Sequence, residues 1–287
     1  MFDFYFGDYP KTLGEEIGYL VSVKRTLPRW CNSIPDAEFS AICKILYGLG
    51  KAAERTRRRL VLVETGAGAS SLALAYYALK YKGVAYSWDM NGEKGSVMRT
   101  ACTETICKVV DRSINRHWKF VAYDTLSPYA GLSILKELTD HVDFIFHDSQ
   151  HVLDVLLREL SAVDRYLGSG SVVAVDDAYY AFGHTDTAYI NITRQKLNLA
   201  PIGSLPDNQT KPFYIEVERF LKERWKKVKS LSQNYKLLCH KDVSIAYFGN
   251  ELTVRRNLGM KRVKELENRF GCWQVGERKR GVIVRTF

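Results

Sequence analysis

Short apolar runs alternate with amphipathic stretches between residues 59 and 177. The runs are rich in β-branched and aromatic residues and predict five buried strands: RLVLVE (59–64), VAYSWD (84–89), HWKFVAYD (117–124), VDFIFHD (142–148) and SVVAVDD (171–177). Helical periodicity marks the segments between them: 70–83, 92–110, 133–140 and 151–170. In the last helix the apolar residues recur from Leu156 to Leu167, and Gly168 marks its predicted end. Strands that alternate with helices predict a doubly wound α/β sheet.

The two flanks of this region have different patterns. Residues 1–58 predict a helical region, and its basic cluster at 55–59 is interpreted as a solvated helix end in preference to a nucleic-acid patch. Beyond 180, residues 214–231 predict a charged helix, and 235–239 with 243–249 predict an antiparallel strand pair. We therefore expect a Rossmann-like, seven-stranded, mostly parallel sheet with an antiparallel last strand. The expected boundaries are an N-terminal helical region (1–58), an α/β domain (59–250, with an insertion at about 180–232) and a basic C-terminal extension (251–287).

Composition narrows the class of protein. The 287 residues are 46% hydrophobic and 26% charged, which is typical of a soluble globular chain. A formal net charge of +10 favours anionic partners, so nucleic acid stays an alternative partner. Six scattered cysteines without a CxxC pair argue against a zinc site and a disulfide framework. With no signal peptide and no apolar span in the sequence, we expect a cytoplasmic protein without a membrane partner.

A glycine-rich turn, ETGAG (64–68), follows the first predicted strand. Gly66 and Gly68 allow a ligand to approach the backbone, and the next helix begins near Ser70 with its free N–H groups at the same place. Serine at position 71 breaks the GxGxxG pattern of nicotinamide enzymes. Glu64 would repel a pyrophosphate but attract the ammonium group of S-adenosylmethionine. The turn therefore favours S-adenosylmethionine over a nicotinamide cofactor.

Further cofactor residues follow the next strands. Asp89 ends the second strand and is placed to accept both ribose hydroxyls. Asp124 ends the third strand, where it is expected to hold the adenine amino group beside Thr125. His147, at the end of the fourth strand, is also counted with the cofactor contacts. Several acids at successive strand ends indicate a binding site more than they indicate helix caps.

A second acidic group follows the fourth and fifth strands, where HDSQH (147–151) and DD (176–177) stand. Asp148, Asp176 and Asp177 would repel one another unless a cation binds, and oxygen ligands suit Mg²⁺. Such an ion could lower the pKa of an acceptor hydroxyl, with His151 as general base. Helix capping by the same aspartates is an equally weighted alternative.

The stretch from about 60 to 180 resembles class I S-adenosylmethionine-dependent methyltransferases. Within them, HDSQH followed by VVAVDDA is similar to the metal-dependent sugar O-methyltransferases of the mycinamicin type and to cephalosporin-biosynthesis-like proteins. The resemblance implies Asp148, Asp176 and Asp177 as metal ligands and His151 as base. This chain has Asp176 where that group often has glutamate, and Ser70 where it has a third glycine.

We therefore expect an O-methyltransferase for a small hydroxylated acceptor such as a sugar or secondary metabolite. Four residues after the fifth strand are expected to line the acceptor pocket: Tyr179, Tyr180, Phe182 and His184. An RNA methyltransferase and a non-catalytic cofactor-binding protein are the alternatives. A homo-oligomer stays open.

Overall fold

The structure is a computed structural model that describes residues 10–123, 131–150, 152–178, 187–196, 198–201, 212–231 and 271–281. In these residues the strands form one sheet in the order β3-β2-β1-β4-β5-β7-β6. The strands are β1 (Val61–Thr65), β2 (Val84–Asp89), β3 (Trp118–Ala122), β4 (Val142–His147), β5 (Leu167–Val175), β6 (Val228–Ser230) and β7 (Gly271–Val275). β2 runs parallel to β1 and β3, whereas β7 is antiparallel to β5 and β6. The predicted Rossmann-like sheet with an antiparallel end is confirmed.

The chain divides into two compact units. The first comprises Met1–Tyr123 and Val142–Ile145, and the second comprises Asp124–His141 and Phe146–Phe287. Described helices of the first unit are α1 (Leu13–Thr26), α2 (Asp36–Arg55), α3 (Ala69–Lys80), α4 (Gly92–Glu104) and α5 (Ile106–Val110). Those of the second are α6 (Leu135–Leu138), α7 (Leu153–Asp164), α8 (Thr187–Lys196) and α9 (Phe213–Arg224). No helix in the described residues has the length and apolar character that a bilayer span requires.

The core of the first unit forms around β1 and α3. Every residue of β1 is buried, as is the run Ala69–Leu79 of α3. A helix that is apolar on all sides needs cover on all sides, and α3 packs against α2 as well as β1 and β2. The N-terminal helices therefore complete the core on which the glycine turn rests.

An ion pair anchors the start of β1. The carboxylate of Asp143 on β4 accepts a hydrogen bond from the Val61 nitrogen at 2.9 Å and is also paired with Arg58. One arginine of the basic cluster at 55–59 thus has a structural partner. The cluster is not simply a solvated helix end, because Arg58 satisfies a buried carboxylate.

Two predicted helices end or break earlier in the structure than the sequence indicates. The helix predicted over 151–170 ends at Asp164, and Leu167 and Gly168 begin β5. Leu167 is buried in the strand, and Gly170 takes a positive φ of 95° that a helix cannot contain. The helix predicted over 92–110 breaks at Thr105, whose Oγ1 donates to the Ala101 carbonyl at 2.6 Å.

The C-terminal part of the sheet differs most from expectation. The charged helix predicted over 214–231 ends at Arg224, and residues 228–230 form β6. The strand pair predicted at 235–239 and 243–249 lies outside the described residues. β7 comes from within the predicted extension 251–287, so that segment contributes a strand to the sheet.

Candidate functional site

The glycine turn between β1 and α3 depends on both glycines. Gly66 has a φ of 90°, in the left-handed region that favours glycine, and its nitrogen donates to the Trp88 carbonyl at 2.7 Å. A Cβ atom at Gly68 would lie 3.2 Å from the carbonyl oxygen of Cys31. The backbone conformation therefore favours glycine at position 66. The contact with the N-terminal region leaves little space for a side chain at position 68.

Asp89 joins the end of β2 to this turn. Its Oδ2 accepts from the Ala67 nitrogen at 2.8 Å, and its Oδ1 accepts from the Asn91 nitrogen at 2.8 Å. Lys94 on α4 adds an ion pair at 3.0 Å. The carboxylate is buried, as expected of a residue that orders a loop. The contact of Asp89 with ribose hydroxyls stays a prediction. Lys94 already forms an ion pair with one oxygen of the same carboxylate.

Glu64 is fully buried beneath the turn. Its Oε2 accepts from Ser70 at 2.6 Å, and its Oε1 accepts from Ser71 and Ser87. Nε1 of Trp118 in turn donates to Ser87 Oγ at 2.8 Å. Burial raises the pKa of Glu64 to about 7, against the opposing effect of the serine hydroxyls. Both carboxylate oxygens are thus engaged with the protein, and an ion pair with a cofactor ammonium stays a prediction.

The end of β4 carries a buried histidine–glutamate pair. Nδ1 of His147 lies 2.9 Å from Oε2 of Glu159 on α7, and Ser149 Oγ donates to Oε1 of the same glutamate at 2.6 Å. The His147 carbonyl accepts from the Asp176 nitrogen at 2.9 Å, which joins the ends of β4 and β5. Nε2 of His147 is buried and has no hydrogen-bond partner among the described residues.

A pocket of the second unit lies beside this pair. It is lined by His147, Asp148, Ser149, Gln150, Leu156, Glu159, Val175, Asp176 and Phe213. Asp176 and Asp177 are buried, and Asp177 takes a φ of 52°, which is uncommon for a residue other than glycine. Asp148 and Asp176 thus line the same pocket.

The predicted metal site is not assembled in the structure. In the part of the chain that is described, no three His, Cys, Asp or Glu side chains lie in an arrangement that could hold a metal ion. Asp148, Asp176 and Asp177 are all described, so their carboxylates do not converge as a metal-binding group would require. The predicted base His151 lies outside the described residues, as do Asp124, Thr125 and the four expected acceptor-pocket residues.

Sequence reasoning missed four residues that build the site. Ser71 and Ser87 hold Glu64, Lys94 pairs with Asp89, and Glu159 orients His147. Two had a readable signal: Ser87 is a polar residue inside an apolar strand, and Glu159 falls on the buried face of α7 between Leu156 and Leu160. A buried polar residue in such a pattern indicates a partner elsewhere.

The family comparison matches a segment that contains the glycine turn and the acids at the strand ends. Residues 63–178 match the family model described as Methyltransferase domain. This segment is similar to methyltransferase domains. Its strand order, glycine turn and strand-end acids agree with the fold of S-adenosylmethionine-dependent methyltransferases, which the sequence resembles. No curated protein matches the chain.

Several solved structures resemble this chain at low sequence identity. Cofactor-bound Rv0187 from MTB is 15% identical, with a TM-score of 0.49 over 91% of this chain and 89% of its own. The O-methyltransferase TomG from Streptomyces achromogenes, involved in tomaymycin synthesis and solved with SAM, is 15% identical, with a TM-score of 0.46 over 96% and 94%. MycE of the mycinamycin pathway, solved with Mg and SAH, is 12% identical, with a TM-score of 0.42 over 87% and 57%.

Proposed function

We propose that this chain transfers the methyl group of S-adenosylmethionine to a hydroxyl oxygen of a small acceptor such as a sugar or secondary metabolite. The observation that carries the proposal is the glycine turn, in which Gly66 adopts a left-handed conformation and Asp89 binds the Ala67 nitrogen. Ligands of open α/β sheets bind outside the carboxyl ends of the strands, which is where this turn stands.

The turn and its supports would bind the cofactor by different means. Gly66 and Gly68 leave the backbone open to the methionine portion, and the N-terminus of α3 with Ser70 favours a carboxylate through its free N–H groups. Asp89 is the acceptor for ribose hydroxyls, a role that requires Lys94 to share or leave the carboxylate. Glu64 holds the turn in shape through its serines and adds negative charge when it is ionised.

Methyl transfer to oxygen makes few chemical demands on the protein. The bond from sulfur to the methyl carbon breaks, the bond from that carbon to the acceptor oxygen forms, and the hydroxyl proton leaves to a base. The rate gain comes mainly from positioning the sulfonium and the oxygen in line. By resemblance the base is His151, which stays a prediction.

The arrangement of the carboxylates gives little support to the expected assistance of the reaction by Mg²⁺. Asp148, Asp176 and Asp177 are hard oxygen donors of a suitable kind, but they are not gathered around one point in the described residues. We therefore assign no step of the reaction to a metal. Calorimetry with Mg²⁺ on the wild type and on Asp148→Ala tests this prediction directly.

An acceptor screen with methyl-labelled S-adenosylmethionine tests the proposed function. We expect label to pass to hydroxylated sugars or aromatic alcohols, and to be lost when Asp89 is replaced by alanine. An RNA transcript in the same screen tests the alternative that the net charge of +10 raises. Label on RNA alone would contradict a small-molecule acceptor. Cofactor binding without transfer to any acceptor would favour the non-catalytic alternative.

A further inference from the structure

The ion pair between Lys94 and Asp89 lies beside the glycine turn, within the first unit. Nζ of Lys94 donates to Oδ2 of Asp89 at 3.0 Å, and the same oxygen accepts from the Ala67 nitrogen at 2.8 Å. Oδ1 accepts from the Asn91 nitrogen at 2.8 Å. Each oxygen of a carboxylate has two lone pairs. Among the described residues, Oδ2 is therefore fully used and Oδ1 has one position left.

This count of lone pairs limits how Asp89 can bind a ribose. The two neighbouring hydroxyls of a ribose present two O–H donors, so Asp89 alone could accept both only if Lys94 left Oδ2. Asp89 is buried, with 4% of its surface exposed, and separating a buried carboxylate from its cation is costly because a hydroxyl does not replace the charge. We therefore expect the ion pair to persist when a ribose binds.

The position of Lys94 suits a residue that faces a ligand. It lies in the first turn of α4, where the helix dipole disfavours a cation, so helix stability does not explain a lysine there. Its side chain is 26% exposed, against 6% for Asp89, so Lys94 is the more accessible member of the pair. An ammonium group has three N–H donors, and the hydrogen bonds in the described part of the chain use one of them. Two donors remain for a ligand.

The start of α4 also holds Lys94 close to the carboxylate. Asp89 fixes the Asn91 nitrogen, and the Asn91 side chain caps α4 by accepting from the Glu93 nitrogen at 2.9 Å. The residue after Glu93 is Lys94, so the backbone that carries the ammonium is tied to Asp89 through two hydrogen bonds. A donor held in this way loses little conformational freedom when it binds a ligand.

We propose that Lys94 binds the ribose of the cofactor and forms with Asp89 a clamp for two neighbouring hydroxyls. Oδ1 of Asp89 accepts one hydroxyl in its remaining position, and the ammonium of Lys94 donates to an oxygen of the same pair of hydroxyls. The inference rests on the proposed function. It adds a donor to a site at which the sequence predicted only an acceptor.

Calorimetry with S-adenosylhomocysteine measures the clamp without turnover. Lys94→Met removes the donors, so affinity should fall about 10-fold, the loss expected for one hydrogen bond from a charged donor. Lys94→Arg keeps a charged donor and should retain most of the affinity. Lys108→Met alters a lysine that is 62% exposed and paired with Glu104, and it should leave affinity unchanged. A Lys94→Met variant that bound as tightly as the wild type, or more tightly, would overturn the proposal.

Analogues of S-adenosylhomocysteine that lack the 2′- or the 3′-hydroxyl distinguish a direct contact from an indirect effect through Asp89. For one of the two analogues, the wild type should lose about as much affinity as Lys94→Met loses for the full ligand. Lys94→Met should then lose little more with that analogue, because the two changes remove the same bond. If Lys94→Met stayed as sensitive as the wild type to both missing hydroxyls, Lys94 would act only on Asp89 and the proposal would be wrong.

The wild type separates a failure of the clamp from a failure of the proposed function. Absence of S-adenosylhomocysteine binding by the wild type would contradict the proposed function, and the clamp with it. Binding by the wild type with no effect of Lys94→Met would contradict only the clamp.

Discussion

The Oδ2 atom of Asp89 lies 2.8 Å from the backbone nitrogen of Ala67. This contact makes an acid at the end of β2 part of the turn after β1, so the ends of the two strands are joined at the proposed cofactor site. The same residue also accepts from Asn91 at 2.8 Å, which orders the start of α4.

Replacing Asp89 with alanine should weaken cofactor binding through the turn as well as through the ribose. The Ala67 and Asn91 nitrogens lose their acceptor, at a cost of about 1–3 kcal/mol, and a lost ribose contact adds to it. We expect S-adenosylmethionine affinity to fall by at least about 10-fold in calorimetry. Glu93→Ala removes an exposed acid from the same region and should leave affinity unchanged. Equal affinities for both variants would contradict a role for Asp89.

Replacing Gly66 with alanine should destabilise the turn. A φ of 90° costs a residue with a Cβ atom roughly 1–2 kcal/mol, so Gly66→Ala should unfold at lower urea concentration and bind cofactor less tightly. Gly48 lies inside α2, and a Cβ atom added there would meet no atom within 4 Å, so Gly48→Ala should be neutral or stabilising. If both variants changed stability in the same direction, the strained geometry of Gly66 would be disproved.

Glu64 should make stability depend on pH. Its folded pKa of about 7 lies above its ordinary value of 4.5, so the native state holds a proton that the unfolded state releases between these values. The contribution is fully present below pH 4.5 and is lost as pH rises through 7, with an upper bound of roughly 3.4 kcal/mol. Relative to Glu64→Gln, the wild type should therefore lose unfolding free energy across this window. Parallel urea titrations of the two proteins would show that the carboxyl is not perturbed.

The pair between Arg58 and Asp143 should respond unequally to loss of either member. Arg58 is 47% exposed, so Arg58→Ala should cost less than about 1 kcal/mol of unfolding free energy. Asp143→Ala also leaves the buried Val61 nitrogen without its acceptor, and should cost about 1–3 kcal/mol. Chemical denaturation of both variants measures the difference. An equal cost for the two would mean that the bond to Val61 contributes little.

The strands were predictable because buried β-branched runs are hard to place in any other element. The predicted strand at 84–89 coincides with β2, and the one at 142–148 differs from β4 by a single residue. The predicted helix extends too far because Leu167, which is buried in a strand, lies at helical spacing from the apolar residues before it. The sequence did not predict β7, because its neighbour β5 is about a hundred residues away along the chain.

The positions of the acids of the candidate site at strand ends were predictable from the sequence, but their hydrogen-bond partners were not. Glu64, Asp89, Asp148 and Asp176 are found at strand ends because alternation fixes where strands end. Their partners come from helices, and no spacing in the sequence pairs Glu159 with His147. The convergence of three carboxylates on a metal was the weaker inference, because strand ends place residues near one another without fixing the direction of their side chains.

Calorimetric titration of S-adenosylmethionine into the wild-type chain tests the central claim most directly, with NAD as the competing ligand. We predict saturable binding of one cofactor molecule per chain, weakened in Asp89→Ala and Gly66→Ala, and no binding of NAD. The account would be contradicted if S-adenosylmethionine gave no heat and did not change the thermal unfolding midpoint of the protein. Saturable binding of NAD in place of S-adenosylmethionine would also contradict it.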